Sequence, residues 1–131
     1  MKVFLGGTCN GSEWREKFIP HLKIDYFNPV VPTWNEKARL KELEEINSSD
    51  FLLFVITPLL TGVYSIAEVV DASNKKPEKT ILCVLDEDNG KKWTESQRKS
   101  LSAVEKLVDS NGAFVFNSLE ETISFLNQHS Q

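Results

Sequence analysis

The chain has 131 residues, of which 40% are hydrophobic and 26% are charged, a composition that supports one domain with a core of its own. Its formal net charge is −4 and its basic residues are scattered, which argues against a surface for a nucleic-acid polymer but allows a small anionic ligand. Two cysteines and two histidines without metal-like spacing argue against a disulfide scaffold and against a zinc site.

Strand-like apolar runs and helix-like segments alternate from the start of the chain. In the first part, strands are predicted at 2–6 and 23–29, and helices are predicted at 12–22 and 35–49. Pro20 should end the first helix early, and Ser12 is the expected N-cap residue of that helix. In the second helix, Leu40, Leu43 and Ile46 fall on one side, which we expect to face the core.

The same alternation continues after residue 50. The run at 50–57 is continuously apolar, which is typical of a central strand that is covered on both faces. A helix is predicted at 62–75, a strand at 80–86 and, after a polar loop, a helix at 94–112 with Thr94 as its cap. A strand at 113–116 and a helix at 117–128 complete the pattern.

Strands that alternate with helices in this way indicate a parallel sheet covered on both faces. Here they predict a flavodoxin-like three-layer α/β/α sandwich, a single domain over residues 1–131 with a five-stranded parallel sheet in the order 2-1-3-4-5. Ligands of such sheets bind beyond the carboxyl ends of the strands, where the order reverses. The loops at that point are GGTCNG after the first strand and TPLLTGVYS after the third, so we expect them to meet at one crevice.

No apolar run is long enough for a signal peptide or a membrane span, since the one in MKVFLGG ends at glycine after three residues. We therefore expect a cytoplasmic protein without a membrane partner. In that reducing compartment both cysteines would stay free, Cys83 within a core strand and Cys9 in the glycine-containing loop.

The GGTCNG loop is the first candidate for ligand contact. Its glycines allow positive φ angles and a close approach of the backbone to a ligand, and the following helix offers free N–H groups. The intervals between Gly6, Gly7 and Gly11 differ from the dinucleotide-binding fingerprint, and the loop has no Walker lysine. A tight strand–helix turn without a ligand is the alternative interpretation.

Three further side chains have both a functional and a structural interpretation. Arg15, one turn into the first helix, could steer an anion towards the loop or could be an ordinary surface arginine. Trp14 could stack on a base or pack in the core, and Asn28 could contact a ligand or form the turn before Pro29. Asp50, in contrast, lies at the amino end of its strand, where a capping or turn role is favoured.

Glu68 is the residue on which the functional hypothesis depends. Gly62 allows the turn out of the third strand, and Tyr64 shares a helix face with Glu68 four residues later. Apolar neighbours would desolvate the carboxylate and raise its pKa, whereas helix N–H groups or the Tyr64 hydroxyl would oppose the rise and keep it ionised. A partly dry carboxylate in a crevice is a competent nucleophile towards an electrophilic carbon. The alternative is a helix-surface glutamate paired with a lysine.

Three segments resemble the nucleoside 2-deoxyribosyltransferase-like family, namely KVFLGGTCNGSEWREKFIP, the FNP that ends the second strand, and SSDFLLFVITPLLTGVYSIAEVVDAS. The likeness extends from residue 2 to about residue 86. It implies an enzyme that cleaves or transfers the N-glycosidic bond of a small nucleoside, a deoxynucleoside or a 5′-monophosphate, with no cofactor. It also implies a homodimer or a higher homo-oligomer.

By this resemblance Glu68 attacks the anomeric carbon of the sugar, and Tyr64 orients its carboxylate. The residues predicted to bind the substrate are Gly6, Gly7, Thr8, Trp14, Arg15, Asn28, Gly62 and Ser65. Several family enzymes carry an aspartate shortly before the glutamate, where this chain has LLTGVYS. The residue that protonates the leaving base is therefore unassigned, with Asp71 as a weak candidate.

A non-catalytic nucleotide-binding module on the same fold is the main alternative to an enzyme. A signal-receiver domain is opposed by the third strand, which ends in Ile56, Thr57 and Pro58 and not in a phosphorylatable aspartate. An electron-transfer flavodoxin is opposed by the first loop, because that loop lacks a Ser/Thr-rich phosphate-binding pattern.

Overall fold

Five parallel strands form the central sheet of the protein, whose computed structural model describes residues 1–130. In chain order they are β1 (Lys2–Gly7), β2 (Asp25–Phe27), β3 (Phe51–Ile56), β4 (Thr80–Val84) and β7 (Phe114–Phe116). Their spatial order, β2-β1-β3-β4-β7, confirms the predicted order 2-1-3-4-5. The two remaining strands, β5 (Glu87–Asp88) and β6 (Lys91–Lys92), form an antiparallel hairpin in the predicted polar loop.

Helices cover both faces of this sheet. In residues 1–130 the α-helices are α1 (Trp14–Phe18), α2 (Glu36–Ser48), α3 (Tyr64–Lys75), α4 (Glu95–Ser110) and α5 (Leu119–Asn127). Side chains of α1 and α5 pack on one face, and those of α2, α3 and α4 pack on the other. The continuously apolar β3 is buried along its whole length between the two layers, so the predicted three-layer sandwich is confirmed. None of the helices in this part of the chain is both long and apolar enough to cross a membrane.

The first helix is shorter than predicted. It ends at Phe18, and Pro20 lies in the 3₁₀ turn that follows, so the early end of this helix at proline is confirmed. The N-cap position is occupied by Glu13, so the prediction of Ser12 as the N-cap residue is wrong. The Ser12 hydroxyl accepts from the Trp14 N–H at 3.4 Å and donates to Asp88 Oδ2 at 2.6 Å, so it joins the β5–β6 hairpin to the start of α1.

The prediction for the inward face of α2 is also wrong. Leu40 and Leu43 are 54% and 46% exposed, and only Ile46 of the predicted side is half-buried. The buried side chain of α2 is that of Glu45, whose carboxylate accepts hydrogen bonds from Lys2 Nζ at 2.6 and 3.0 Å. Because an ammonium group from β1 compensates this acid, α2 turns a charged residue inward and leaves two leucines outside.

Other local contacts match the sequence-based expectations. Asp50 lies at the amino end of β3, where its carboxylate accepts a hydrogen bond from the Lys2 N–H at 2.8 Å. Thr94 caps α4, since its hydroxyl accepts from the Gln97 N–H at 3.1 Å while the Gln97 side chain accepts from the Thr94 N–H at 2.9 Å. Cys83 is buried in β4. The parallel register of β1 and β3 leaves their carboxyl ends side by side.

Candidate active site

A cavity of about 230 Å³ lies beyond the carboxyl ends of β1 and β3, at the point where the strand order reverses. The end of β1 and the loop after it form one part of the wall, the first two turns of α3 form a second, and the β2–α2 segment with α2 forms a third. The lining residues are Phe4, Gly6, Gly7, Cys9, Asn10, Arg15, Pro29, Val30, Val31, Trp34, Glu42, Ser65 and Glu68. The two loops meet beside it, at a pocket of about 160 Å³ lined by Gly7, Cys9 and Asn10 from the first loop and by Leu60, Thr61, Gly62, Tyr64 and Ser65 from the second. The predicted crevice between the two loops is therefore present.

Gly6 and Gly7 border the cavity at the end of β1, where a larger residue would not fit. Gly7 has a φ angle of +110°, and a Cβ atom there would lie 2.1 Å from the carbonyl oxygen of Val55 in β3. A Cβ atom on Gly6 would lie 2.9 Å from a ring carbon of Phe4. These glycines let β1 run close to β3, and they leave a stretch of backbone facing the cavity without a side chain in front of it.

Thr8 is a structural clamp beside the cavity and does not line it. Its buried hydroxyl accepts from the Thr57 N–H at 2.9 Å, and its own N–H donates to the Val55 carbonyl at 2.8 Å. Its carbonyl accepts from Trp14 Nε1 and from Arg15 Nη1, both at 2.8 Å. Thr8 therefore joins β1, β3 and α1 and holds this edge of the cavity in place.

Arg15 is a buried cation in the cavity wall, with only 5% of its surface exposed. Its Nε and Nη2 atoms donate to the Leu5 carbonyl at 3.1 and 2.9 Å, and its guanidinium carbon lies 4.5 Å from the centre of the Trp14 ring. Burial lowers the pKa of Arg15 from 12.5, yet a guanidinium remains charged near neutral pH. Within residues 1–130 it forms no salt bridge, so its charge favours an anion in the cavity.

Glu68 faces the cavity from the second turn of α3 and is half-buried. Burial, and after it the negative charge of Glu42, raises the pKa of Glu68 from 4.5 to about 7. Neither a helix N–H group nor the Tyr64 hydroxyl is among the causes of this shift, so the expected opposition to the rise is not seen, and the carboxyl group is partly ionised near neutral pH. In the described part of the chain it pairs with no lysine or arginine, unlike a solvated helix glutamate.

Tyr64 and Gly62 lie beside the cavity and are exposed. The Tyr64 side chain is 75% exposed and borders a neighbouring groove between α2 and α3, to which Glu68 also contributes. Gly62 borders a smaller pocket with Asn10 and Tyr64. Ser65, one residue beyond Tyr64, does line the cavity.

For Trp14 and Asn28, the structural interpretation given above agrees with the structure, and the ligand-binding one does not. Trp14 is 2% exposed and packs edge-on against Phe18, with ring centres 5.7 Å apart. Asn28 closes a turn, because its side-chain oxygen accepts from the Val30 N–H at 3.1 Å. The cavity thus brings together Gly6, Gly7, Arg15, Ser65 and Glu68, but not Thr8, Trp14, Asn28, Gly62 or Tyr64.

Several lining residues were not predicted from the sequence, and the two with the most informative side chains are Glu42 on α2 and Trp34 just before that helix. Burial raises the pKa of Glu42, and the charge of Arg15 opposes that rise. The spacing of Ala38, Glu42 and Ile46, every four residues, places them on one face of α2. In the structure all three are half-buried, so this spacing is the sequence signal for Glu42. Hydrophobic periodicity misses this face because its central residue is an acid.

The walls of the cavity differ in chemistry. The side formed by the β2–α2 segment is apolar, with the valines at 30 and 31 and the indole of Trp34. Two half-buried carboxyl groups, Glu42 from α2 and Glu68 from α3, share the space with the guanidinium of Arg15. Such a site suits a small ligand that has a flat ring, a polar centre and, optionally, an anionic group.

The family comparison agrees with this arrangement. The family described as nucleoside 2-deoxyribosyltransferase like matches residues 1–88, which is most of the chain and includes every residue that lines the cavity. No curated protein matches the sequence significantly. The match covers β1 to β4 and the helices between them, the part of the fold that builds the site. The chain therefore belongs to the nucleoside 2-deoxyribosyltransferase-like family.

Proposed function

We propose that the protein cleaves or transfers the N-glycosidic bond of a nucleoside, a deoxynucleoside or a 5′-monophosphate through a covalent glycosyl-enzyme on Glu68. The observation that carries the proposal is the setting of this carboxyl group, half-buried and facing a cavity bordered by Gly6 and Gly7. Membership of the family supports a small nucleoside as the substrate. No metal or redox cofactor is needed for this chemistry.

The reaction follows the logic of a double displacement. An oxygen of ionised Glu68 bonds to C1′ of the sugar while the C1′–N bond breaks and leaves its electron pair on the base. Water or a second base then attacks C1′ and releases the carboxylate, so the configuration at C1′ is retained. Because the pKa of Glu68 is about 7, kcat/KM of the free enzyme should rise with pH through neutrality.

The two ends of the substrate have natural places in the cavity. A 5′-phosphate would lie near the backbone of Gly6 and Gly7, where the charge of Arg15 favours an anion. The base would lie against Trp34, whose indole is 57% exposed and thus free to stack. Trp14, the stacking residue considered from the sequence, packs in the core and does not line the cavity.

The direct test is incubation with deoxynucleosides, ribonucleosides and their 5′-monophosphates, with and without an acceptor base. We expect release or exchange of the base, and Glu68→Gln should lower the rate on the order of 10⁴-fold. A trapped sugar adduct should map to the peptide that contains Glu68. Glu44→Gln, which changes an exposed glutamate of α2 outside the cavity, is the matched control.

Failure to release or exchange any base would contradict the proposal. If nucleotides then still raised the melting temperature, and Glu68→Ala left that shift unchanged, the result would support the non-catalytic nucleotide-binding module. Circular dichroism of each variant separates loss of activity from loss of fold.

We also propose that the protein forms a homodimer or a higher homo-oligomer through the groove between α2 and α3. This groove has a volume of about 470 Å³ and includes Leu43 and Tyr64. Leu40 of α2 and Val63, the residue before α3, add exposed apolar surface nearby. Glu68 lines both this groove and the cavity, so the two are adjacent.

Sedimentation velocity tests this assembly. Leu43→Lys should produce monomers, whereas Leu107→Lys on α4, where the leucine is 48% exposed compared with 46% for Leu43, should not. A wild-type protein that sediments as a monomer at micromolar concentration would contradict the proposed oligomer.

We also propose that the protein acts in the reducing cytoplasm, which suits its two unpaired cysteines.

A further inference from the structure

A second cavity lies at the amino ends of β3, β4 and β7, at the edge of the sheet opposite to the candidate active site. Phe51 and Phe114 are the first residues of β3 and β7, and Lys79 directly precedes β4. The end of α2 and the end of α5 with the turn after it complete the wall. The cavity has a volume of about 580 Å³, a size typical of small-molecule sites. Among residues 1–130 it has no lining residue in common with the active-site cavity.

Three phenylalanines and a histidine supply the apolar part of this second cavity. The ring centre of Phe125 on α5 lies 5.8 Å from that of Phe51 and 4.6 Å from that of Phe114. The imidazole of His129 lies 4.8 Å from the Phe51 ring, and its Nδ1 donates to the Phe125 carbonyl at 3.1 Å. This bond holds the imidazole beside the three rings. Together they form an aromatic surface that suits the ring of a ligand.

Ser49 contributes a hydroxyl group that the protein leaves without a hydrogen bond. The residue joins α2 to β3 and is only 2% exposed, and within residues 1–130 its Oγ has no partner. Its extended backbone puts its side chain on the same face of the sheet as that of Phe51, two residues later. A buried hydroxyl without a partner lowers stability. A ligand in the cavity that Ser49 borders would supply the missing hydrogen bond.

Lys79 places a cation beside this hydroxyl. It is half-buried, and its Nζ donates to the carbonyl of Ser49 itself at 2.8 Å. Within residues 1–130 it forms no salt bridge. Burial, and after it the charge of Lys76, lowers the pKa of Lys79, while the charges of Glu78 and Asp50 oppose this fall. An anionic group bound next to the ammonium would offset the cost of its burial.

We propose that this second cavity binds a small aromatic monocarboxylate, with its carboxylate between the Ser49 hydroxyl and the Lys79 ammonium and its ring against the three phenylalanines. Two neighbouring donors, one of them charged, match the two oxygens of a carboxylate. Asp50 and Glu78 border the same cavity and are exposed, so their charges disfavour a ligand with a second negative group. The site does not depend on the reaction proposed above.

Titration of the full chain with phenylacetate, followed by ¹H–¹⁵N NMR, tests the site. We expect saturable shifts of the amide signals of Ser49, Phe51, Lys79 and Phe114 at millimolar ligand. Phenylacetamide has nearly the same shape without the charge, and it should bind at least about tenfold more weakly. Phenylmalonate, which adds a second carboxylate to the same ring, should also bind more weakly than phenylacetate.

Ser49→Ala separates ligand binding from a structural role. Because the hydroxyl has no partner in the described chain, the variant should keep or raise the melting temperature, yet bind phenylacetate about tenfold more weakly. Lys79→Gln should weaken binding by a similar factor. Lys76→Gln, which changes a half-buried lysine that lines the α2–α3 groove instead, is the matched control and should bind like wild type.

Three results would overturn the proposal. The first is the absence of saturable shifts at the amino ends of these strands, or shifts confined to the active-site cavity. The second is equal binding of phenylacetate and phenylacetamide, which would show that the carboxylate is not recognised. The third is a Ser49→Ala variant that is less stable but binds like wild type, because the hydroxyl would then be purely structural.

Discussion

Two glutamates one turn apart on α2 experience opposite environments. Glu45 is only 7% exposed, and Lys2 Nζ donates to both of its oxygens, so this hydrogen-bonded partner lowers its pKa. Glu42 lines the cavity, and burial raises its pKa. The two glutamates differ in the cation that lies near each of them. The ammonium of Lys2 is free to bind Glu45, whereas the guanidinium of Arg15 donates to backbone carbonyls.

The same contrast separates the two edges of the sheet. At the amino edge around Lys2, charges are compensated, as in the contact of Asp50 with the Lys2 N–H and the salt bridge between Lys2 Nζ and Glu45. At the carboxyl edge, Glu68 has a pKa of about 7. Uncompensated groups of this kind lower stability and are typical of functional sites. The contrast can be tested by neutralising one acid at a time.

The largest effect on stability should come from Glu68→Gln. Because the pKa of Glu68 is raised from 4.5 to about 7, the folded state binds its proton more tightly than the unfolded state. This stabilisation is complete below the unfolded pKa of 4.5 and is lost as the pH rises through 7. At about pH 8.5 the variant should therefore gain up to about 3 kcal/mol in free energy of unfolding, compared with its difference at about pH 4.

Urea denaturation at both pH values measures this difference. A variant whose stability relative to wild type is the same at both pH values, or falls as the pH rises, would show that folding does not raise the pKa of Glu68. The gain should accompany the loss of activity proposed above.

Glu45→Gln should act in the opposite direction. The hydrogen bond from Lys2 lowers the pKa of Glu45, so its stabilisation is present above 4.5 and is lost as the pH falls through the lowered value. Near neutral pH the variant should lose about 1–2 kcal/mol in free energy of unfolding, since the Lys2 end of the pair is partly solvated. The loss should shrink in acid. A stabilising effect at neutral pH would remove the contrast with Glu68.

A double-mutant cycle between Glu42 and Glu68 should reveal their repulsion. At about pH 8.5, where both are ionised, Glu42→Gln with Glu68→Gln should stabilise by about 1 kcal/mol less than the sum of the single changes. At about pH 4 the coupling should vanish, because both groups are protonated in the folded protein. The control cycle pairs Glu45 with Glu68. An equal coupling in that cycle would mean that the effect is not specific to the cavity.

The smallest effect should be that of Glu44→Gln, on the exposed side of the same helix. Its free energy of unfolding should stay within about 0.5 kcal/mol of wild type at each pH. A larger change would show that α2 responds to the loss of any charge, and the interpretation of the other three variants would need to be revised.

Much of the fold could be predicted from the sequence because the main elements follow local rules. The continuously apolar run of β3 indicated a central strand, and Thr94 marked the start of α4. The face of α2 could not be predicted in this way. Hydrophobic periodicity assigns Leu43 to the core, but the burial of Glu45 depends on Lys2, which is 43 residues away in the chain.

The sequence by itself determined the strand order, the glycines at the end of β1 and the placing of Glu68 near the switch point, since each depends on residues that are close in the chain or on general rules of topology. Only the tertiary structure decided the chemistry of the cavity. In the folded protein Trp14 packs in the core, and Trp34 and Glu42 line the cavity. Glu68 lies there without a salt bridge to a lysine or arginine of residues 1–130. A pKa depends on burial and on charges from distant segments, and those become neighbours only when the chain has folded.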